Sequence, residues 1–331
     1  MTEVVYSIRE LDVDYNTRFG AVRAVDNVSL DINKGEILGL VGESGCGKST
    51  LGKAMLRMIE TPGVISGGEL WFDGVDLMTL DDKRMRELRG AKLGMVFQDP
   101  MTSLNPLMKI VDHLTETIRT HEPNVSEAAA RKRAEELVTR LGLRDERIND
   151  YPHQFSGGMR QRIMIALALA LQTHLVIADE PTTALDVIVE AQFLDLLREL
   201  RQEFDLTIVI ITHNIGVVAE VADRVAVMYA GEIVELGSVH EVFLDTKHPY
   251  SQGLLKSVPN IELDHDDLYK MEGNPPNLLA PPSGCRFHPR CPQVMDVCPG
   301  NVPSLLPVDG KDHQASCWLY QKAPQEAVVG D

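Results

Sequence analysis

One run constrains the fold of this 331-residue chain more than any other feature, and it reads Gly42-Glu43-Ser44-Gly45-Cys46-Gly47-Lys48-Ser49-Thr50. Its spacing, G-x-x-x-x-G-K-[ST], is that of a phosphate-binding loop. The run follows an apolar stretch over 38–41 and precedes a helical pattern over 49–59, which is the context that the motif requires. The glycines let backbone N–H groups wrap phosphate oxygens, and the helix N-terminus adds positive potential. We therefore predict that this loop binds nucleotide, with Lys48 on the β- and γ-phosphates and Ser49 on Mg²⁺.

A second motif follows an apolar strand pattern over 175–178, which ends in Asp179 and Glu180. A carboxylate at such a strand end holds Mg²⁺ directly or through water, so we assign Asp179 to the metal. Glu180 can polarise the attacking water as a general base. Solvated acids also cap ordinary strand ends, but the presence of a phosphate loop upstream favours catalysis.

The arrangement of apolar runs predicts the fold class. Strand-length runs at 175–178 and 207–211 are separated by a helical pattern over 188–203. Strand, helix, strand indicates a parallel sheet with helices on both faces. A polar stretch with a helical pattern covers 107–147. After about residue 237 the sequence becomes rich in proline and in residues typical of loops.

Charge and hydropathy exclude some classes of function. The net charge of -17 argues against a general nucleic-acid-binding face. The longest apolar run, 163–178, is too short and too interrupted for a membrane-spanning helix. We expect a cytoplasmic protein whose membrane role comes through a partner.

A third motif identifies a family among the many that share the first two. The residues are Phe155-Ser156-Gly157-Gly158-Met159-Arg160-Gln161-Arg162, ahead of an apolar helix. They resemble the signature of ABC-type ATPases, with Phe155 and Met159 in place of Leu and Gln. A Ser-Gly-Gly turn at a helix N-terminus is a second phosphate cradle. The resemblance implies a head-to-tail dimer, in which the signature Ser156, Gly157 and Gly158 of one subunit faces the phosphate loop of the other.

The resemblance extends to further positions in the expected order. Gln98 is similar to the glutamine that contacts Mg²⁺ or water and senses the membrane subunit. The triplet 184–186, ending in Asp186, resembles the loop that crosses the dimer interface. His213 resembles the histidine that contacts the γ-phosphate, although a lone histidine is usually a surface residue. Tyr15 matches the aromatic that stacks on adenine, with Phe19 as a rival.

The implied fold is a P-loop NTPase with a RecA-like α/β core. An antiparallel β part near the N-terminus and a helical subdomain around 100–160 complete the ABC nucleotide-binding domain, residues 1–237. Residues 238–331 form a small, loop-rich C-terminal extension.

Four stretches, 97–106, 178–186, 248–250 and 284–292, resemble the oligopeptide/dipeptide branch of ABC importers. Within it the chain looks like the D-type ATPase subunit. The branch implies an F-type ATPase partner, two integral membrane permease subunits and an extracytoplasmic substrate-binding protein. It also implies a peripheral location on the cytoplasmic face of the cell membrane. Nickel and oligosaccharide importers in the branch remain alternatives.

The C-terminal extension contains a group of four cysteines, namely Cys285, Cys291, Cys298 and Cys317. Four thiolates suit tetrahedral zinc or an iron–sulfur cluster, but the spacing lacks both a C-x-x-C pair and the ferredoxin pattern. The resemblance implies a [4Fe-4S] cluster. Zinc, free thiols and disulfides stay open as alternatives, with His288 and His313 as alternative ligands.

We therefore expect an ATPase that drives peptide import through closure of a nucleotide-binding dimer. A soluble ABC ATPase of DNA repair or translation is the alternative from another class. Such proteins usually carry a long coiled coil or two cassettes, and this chain shows neither pattern. A regulatory cassette without hydrolysis is disfavoured because Lys48, Asp179, Glu180 and His213 are present, and the C-terminal extension favours import over export.

Overall fold

The structure is a computed structural model that describes residues 3–99, 103–183, 185–257, 271–308 and 312–322. Its strands are β1 (Val4–Thr17), β2 (Gly20–Asn33), β3 (Ile37–Val41), β4 (Gly63–Phe72), β5 (Val75–Asp76), β6 (Leu93–Val96), β7 (Leu175–Asp179), β8 (Thr207–Thr212), β9 (Arg224–Tyr229), β10 (Glu232–Ser238), β11 (Leu306–Pro307) and β12 (Gln314–Ala315). Its helices are α1 (Lys48–Met55), α2 (Asp82–Leu88), α3 (Ile110–His121), α4 (Glu127–Arg140), α5 (Gly157–Ala168), α6 (Val187–Phe204), α7 (Ile215–Val221), α8 (Val239–Leu244) and α9 (Pro249–Lys256).

The larger sheet of the described residues has the strand order β11-β12-β10-β9-β3-β8-β7-β6. Strand β3 runs parallel to β8 and β9, and β7 runs parallel to β8 and β6. The parallel strands β3, β7 and β8 are buried, as expected for a sheet covered on both faces. The prediction of a P-loop α/β core is confirmed. The parallel register brings the carboxyl ends of β3, β6, β7 and β8 to one edge of the sheet.

The smaller sheet is antiparallel and has the order β2-β1-β4-β5, which agrees with the β part expected near the N-terminus. Strands β1 and β2 form a long hairpin whose inward residues alternate with exposed ones. The buried side of this sheet shares a hydrophobic cluster with α1 and one face of the larger sheet. The cluster fixes the small sheet beside the phosphate loop, because α1 begins at the end of that loop.

Helices α3 and α4 lie within the predicted helical interval of about 100–160, and α5 begins at its end and continues to Ala168. The buried residues of α3 are Ile110, Val111, Leu114 and Ile118, which lie on one face at helical spacing. The Ser126 hydroxyl accepts a hydrogen bond from the Ala129 N–H and caps α4. Both helices join the cluster of α5 and β7, so the region that carries the signature packs on the core.

The C-terminal segment is attached to the core by strand pairing and by packing. Strand β12 pairs antiparallel with β10, through Glu235 with Ala315, and β11 extends the sheet outward. Tyr229, Tyr250 and Phe287 share a hydrophobic cluster, in which residues of β9, α9 and the C-terminal loops meet. Within the described ranges, no helix combines the length and the apolar character needed to cross a bilayer.

Candidate active site

The candidate active site lies at the edge of the sheet where β3, β7 and β8 end. In the paired register, Val41 lies opposite Thr212 and Asp179 lies opposite Ile211, so the three strands end at the same level. The phosphate loop follows β3, Glu180 follows β7 and His213 follows β8. Ligands of open α/β sheets bind at this edge, because the loops there converge on one crevice.

The phosphate loop is shaped by close backbone approaches at two glycines. A Cβ on Gly42 would lie 2.1 Å from the Met228 carbonyl oxygen, and one on Gly47 would lie 2.2 Å from the Ala24 carbonyl oxygen. Gly47 has a φ of 110° and stands at the N-terminus of α1. Only glycine tolerates this combination of contact and positive φ, so the loop conformation depends on both residues.

Lys48 is 6% exposed and is held within the loop. Its Nζ donates to the carbonyl oxygen of Gly42 at 2.8 Å and to that of Glu43 at 3.1 Å. If the Lys48 ammonium group turned to a phosphate oxygen, it would give up these two carbonyl contacts. The ammonium group therefore lies inside the loop that is predicted to bind the phosphates.

Ser49 and Asp179 come together although they are far apart in sequence. The Ser49 hydroxyl donates to Asp179 Oδ1 at 2.8 Å. Burial raises the pKa of Asp179, and the hydrogen bond from Ser49 opposes that rise. A hydroxyl and a carboxylate oxygen beside a phosphate loop are donors that suit Mg²⁺, so this pair fits the predicted metal site.

Glu180 is the centre of a small hydrogen-bonded group. Its Oε1 lies 2.8 Å from His213 Nδ1, and its Oε2 accepts a hydrogen bond from the Thr183 hydroxyl at 2.9 Å. Glu180 has a φ of 48°, an uncommon conformation for a residue that is not glycine. The structure thus brings together the predicted base and the predicted histidine. Thr183 was missed by the sequence reasoning, although it stands one turn beyond Glu180.

The signature turn lies at the start of α5. The exposed Ser156 hydroxyl accepts from the Met159 N–H at 3.4 Å and caps the helix. A Cβ on Gly158 would lie 2.4 Å from Val189 Cγ1, so α5 and α6 approach closely there. The turn lines a cleft with Gly142, Leu143, Arg144, Arg147, Met159, Arg162, Val189 and Gln192. None of these described residues belongs to the phosphate loop, so the turn opens onto a different face.

Arg147 packs against the start of the signature, and the sequence did not predict this contact. Its guanidinium carbon lies 4.4 Å from the centroid of the Phe155 ring. The same group donates to the Gln154 carbonyl oxygen at 2.8 Å and to Asp150 at 2.8 Å. Arg147 lies nine residues before Ser156 and no local motif links the two, so only the fold reveals this role.

The remaining predicted residues lie around the site. Gln98 is exposed, two residues beyond the end of β6, and Asp186 caps α6 by accepting from the Val189 N–H at 2.9 Å. Tyr15 is half-buried against the cluster under the small sheet, whereas Phe19 is 71% exposed beside the hairpin turn. Of the resemblance stretches, Ala184 and residues 100–102 lie outside the described residues. The roles of the other residues stay predictions.

The iron–sulfur prediction for the four cysteines is wrong. Within residues 3–99, 103–183, 185–257, 271–308 and 312–322, no three or more His, Cys, Asp or Glu side chains form a group that could hold a metal ion. Burial raises the pKa of Cys285 to about 12 and that of Cys317 to about 11, and it also raises the pKa of Cys291. All five cysteines of the chain, each within the described ranges, are unbridged thiols.

Comparisons with known proteins show which family the chain is similar to. A family model described as ABC transporter matches residues 25–183, and one described as the C-terminal region of oligopeptide/dipeptide transporters matches residues 234–298. The dipeptide transport ATP-binding protein DppD of Bacillus subtilis is 45% identical over 330 residues, which cover 99% of this chain and 98% of that protein. The oligopeptide transport ATP-binding protein OppD of Salmonella typhimurium is 44% identical, over 91% of this chain and 90% of that protein.

Solved structures show the same fold. The dimeric bacterial ABC transporter cassette MJ0796 matches with a TM-score of 0.64 and 30% identity, over 71% of this chain and 98% of that chain. A dimer of MJ0796 in a post-hydrolysis state, bound to ADP and Pi, matches equally well. The protein cbiO1 of Clostridium perfringens, part of the ABC transporter complex cbiONQ, matches with a TM-score of 0.63 and 28% identity, over 74% of this chain and 92% of that chain.

Proposed function

This chain belongs to the ABC transporter family as one of its ATP-hydrolysing subunits, and on that premise we propose that it powers an importer of dipeptides or oligopeptides. The observation that carries the proposal is the convergence of five predicted groups at one sheet edge. Lys48 lies inside the phosphate loop, Ser49 contacts Asp179, and Glu180 contacts His213. The full-length similarity to proteins named for dipeptide and oligopeptide transport supports the substrate class.

The chemistry follows from the positions of these groups. The phosphates of ATP lie on the loop 42–50, where Lys48 exchanges its carbonyl partners for phosphate oxygens. Ser49 and Asp179 would hold Mg²⁺, with Gln98 as a further ligand, and the ion would supply positive charge beside the transferred phosphoryl group. Glu180 orients a water and accepts its proton, so the new bond forms between the water oxygen and the γ-phosphorus as the bond to ADP breaks.

His213 holds the base before the nucleotide binds. Its contact of 2.8 Å with Glu180 and the contact from Thr183 fix both carboxylate oxygens. When ATP is present, His213 contacts the γ-phosphate instead, and Glu180 is released to act on water. The availability of Glu180 as a base therefore depends on whether nucleotide is bound.

We also propose a head-to-tail dimer as the working unit. Ser156 and Gly158 line a cleft that includes no described residue of the phosphate loop of the same chain, which supports contact of the turn 156–158 with a nucleotide bound to a partner. The partner is an F-type ATPase of the same transporter. Asp186 and its neighbours lie at the interface, and Tyr15 stacks on the adenine.

The assembly on the membrane completes the proposal. Two integral permease subunits bind the chain near Gln98 on the cytoplasmic face of the cell membrane, where the chain is peripheral. An extracytoplasmic binding protein delivers the peptide. ATP closes the ATPase dimer because it binds the closed state better than the open one, and hydrolysis reopens it. The division into residues 1–237 and 238–331 remains part of the proposal, supported by the two family models.

Reconstitution of the transporter in proteoliposomes tests this function. Vesicles that contain the chain, its partner ATPase, the two permeases and the binding protein should import a labelled dipeptide only with Mg-ATP. The chain with Glu180→Gln serves as the matched control and should not support import. ATP-dependent uptake of nickel or an oligosaccharide, without uptake of peptide, would contradict the substrate assignment and leave the ATPase assignment in place.

A further inference from the structure

Glu43, the second residue of the phosphate loop, is held from three directions. Its backbone N–H donates to the Tyr250 hydroxyl at 2.9 Å. Its two carboxylate oxygens accept from Arg290 Nη1 at 2.8 Å and Nη2 at 3.0 Å. Its carbonyl oxygen accepts from Lys48, within the loop itself. Two of the three contacts therefore come from the C-terminal segment, more than 200 residues away in sequence.

Arg290 is fixed in the position that this contact requires. Its side chain is 6% exposed, and that of Glu43 is 24% exposed, so water competes little for the pair. Nε of Arg290 donates to the Glu272 carbonyl oxygen at 3.1 Å, and the guanidinium lies within 6 Å of the rings of Tyr229 and Phe287. A bidentate arginine–carboxylate pair fixes orientation as well as distance.

Tyr250 is fully buried and belongs to the same aromatic group. Its ring centroid lies 4.5 Å from that of Tyr229 and 5.5 Å from that of Phe287. Burial raises the pKa of Tyr250 above its ordinary value, so the hydroxyl stays neutral and can accept from the Glu43 N–H. The buried ring therefore places its hydroxyl against the loop at Glu43.

A second contact reaches the loop through Arg286. Its guanidinium donates to the Ala230 carbonyl oxygen and to the carboxylate of Asp26, and Nε lies 3.0 Å from Glu232. Gly231, which follows Ala230 in the chain, donates its N–H to the Cys46 carbonyl oxygen of the phosphate loop at 2.8 Å. The C-terminal segment thus supports the loop at two places.

The loop needs external support because of its glycines. Gly42, Gly45 and Gly47 all have positive φ, and a Cβ on Gly45 would meet nothing within 4 Å. Glycine loses more conformational entropy on ordering than any other residue, so a loop with three glycines is costly to order. Ordering it before ATP arrives removes that cost from the binding step.

We propose that Tyr250 and Arg290 are positioning residues, which hold Glu43 so that the phosphate loop is ordered for ATP before ATP binds. The C-terminal segment thereby sets the nucleotide affinity of the same active site. This inference deepens the proposed function and rests on its assignment of the loop 42–50 to the phosphates of ATP.

Point variants of the full-length chain test the inference. In Arg290→Gln we expect the dissociation constant for ATP to rise about tenfold, and in Tyr250→Phe about threefold, since each removes hydrogen bonds to Glu43. The KM for ATP should rise in parallel while kcat changes less than about twofold, because the catalytic groups stay in place. Arg290→Lys should recover part of the affinity. Arg140→Gln, which breaks an exposed pair with Glu203 in the helical region, is the matched control and should bind ATP like the wild type.

A double-variant cycle separates positioning from a general structural effect. If Arg290 acts through Glu43, then Glu43→Gln together with Arg290→Gln should weaken ATP binding no more than the worse of the two single variants. Wild-type affinity in Arg290→Gln, or effects that add in the double variant, would overturn the inference. Affinity is read by fluorescence titration and does not depend on turnover. A wild-type chain that binds ATP without hydrolysing it would therefore count against the proposed function alone.

Discussion

The replacement Glu180→Gln is the sharpest test of the catalytic assignment, because the structure allows the side chain to change with little disturbance. In the wild type, Glu180 bonds to His213 Nδ1 and to the Thr183 hydroxyl. A glutamine can keep both contacts, with its carbonyl oxygen toward the histidine and its amide toward the threonine oxygen. The variant therefore loses the ability to accept a proton and little else.

The expected magnitude follows from that single loss. Removal of a general base costs about 10²- to 10⁴-fold in rate, which corresponds to about 3 to 5 kcal/mol in the barrier. The free energy of unfolding should change by less than about 1 kcal/mol, which would move the melting temperature by less than about 4 °C. Binding of ATP should persist, because the phosphate loop and Lys48 are unchanged.

Phosphate release at saturating Mg-ATP measures the rate, and gel filtration with ATP measures dimer formation with the partner ATPase. Glu199→Gln, an exposed change on α6, is the control for the same substitution outside the site. A Glu180→Gln chain that retains more than about a tenth of the wild-type rate would refute the assignment of the base. Lost ATP binding in that variant would show that the geometric reasoning is wrong.

Three further predictions concern the loop, the signature and the fold. Lys48→Ala should abolish detectable ATP binding in a fluorescence titration while Ser49 and Asp179 keep their contact, because the phosphates lose their one buried ammonium among the described loop residues. Gly158→Ala should lower the free energy of unfolding by about 1–3 kcal/mol through its clash with Val189, and the added change Val189→Ala should restore much of it in urea titrations. Burial lowers the pKa of His248 to about 4, so its neutral form stabilises the fold fully above pH 6.5. That contribution should fall by about 3 kcal/mol between pH 6.5 and pH 4, and His248→Asn should lose less stability than the wild type over that range.

The elements that the sequence predicted well are those whose signal is local. The phosphate loop, the apolar run that ends at Asp179 and the run before His213 each lie within about ten residues. Each run has the period and the flanking residues that its structure requires. The polar helical stretch predicted over 107–147 contains both α3 and α4.

The features that escaped prediction depend on contacts between distant segments. Glu43 and Arg290 lie 247 positions apart in the sequence, and no sequence pattern in either segment predicts their contact. The cysteine prediction failed for the same reason. Thiol count and spacing define a set of possible donors, but only the fold decides whether those donors come together. The bracing of the signature by Arg147 also became visible only in the packed helical region.

The pairing of β12 with β10 has a consequence for the solubility of the chain. Strand β10 would otherwise present a row of unpaired N–H and C=O groups, which is a template for association between molecules. Strand β12 pairs with Glu235 and Leu236 of that row, and the outermost strand β11 has two residues, one of which is Pro307 with no N–H to donate. Growth of the sheet is therefore blocked at this part of the edge. A chain cut after Gly237 would lose this protection and should self-associate through the exposed edge.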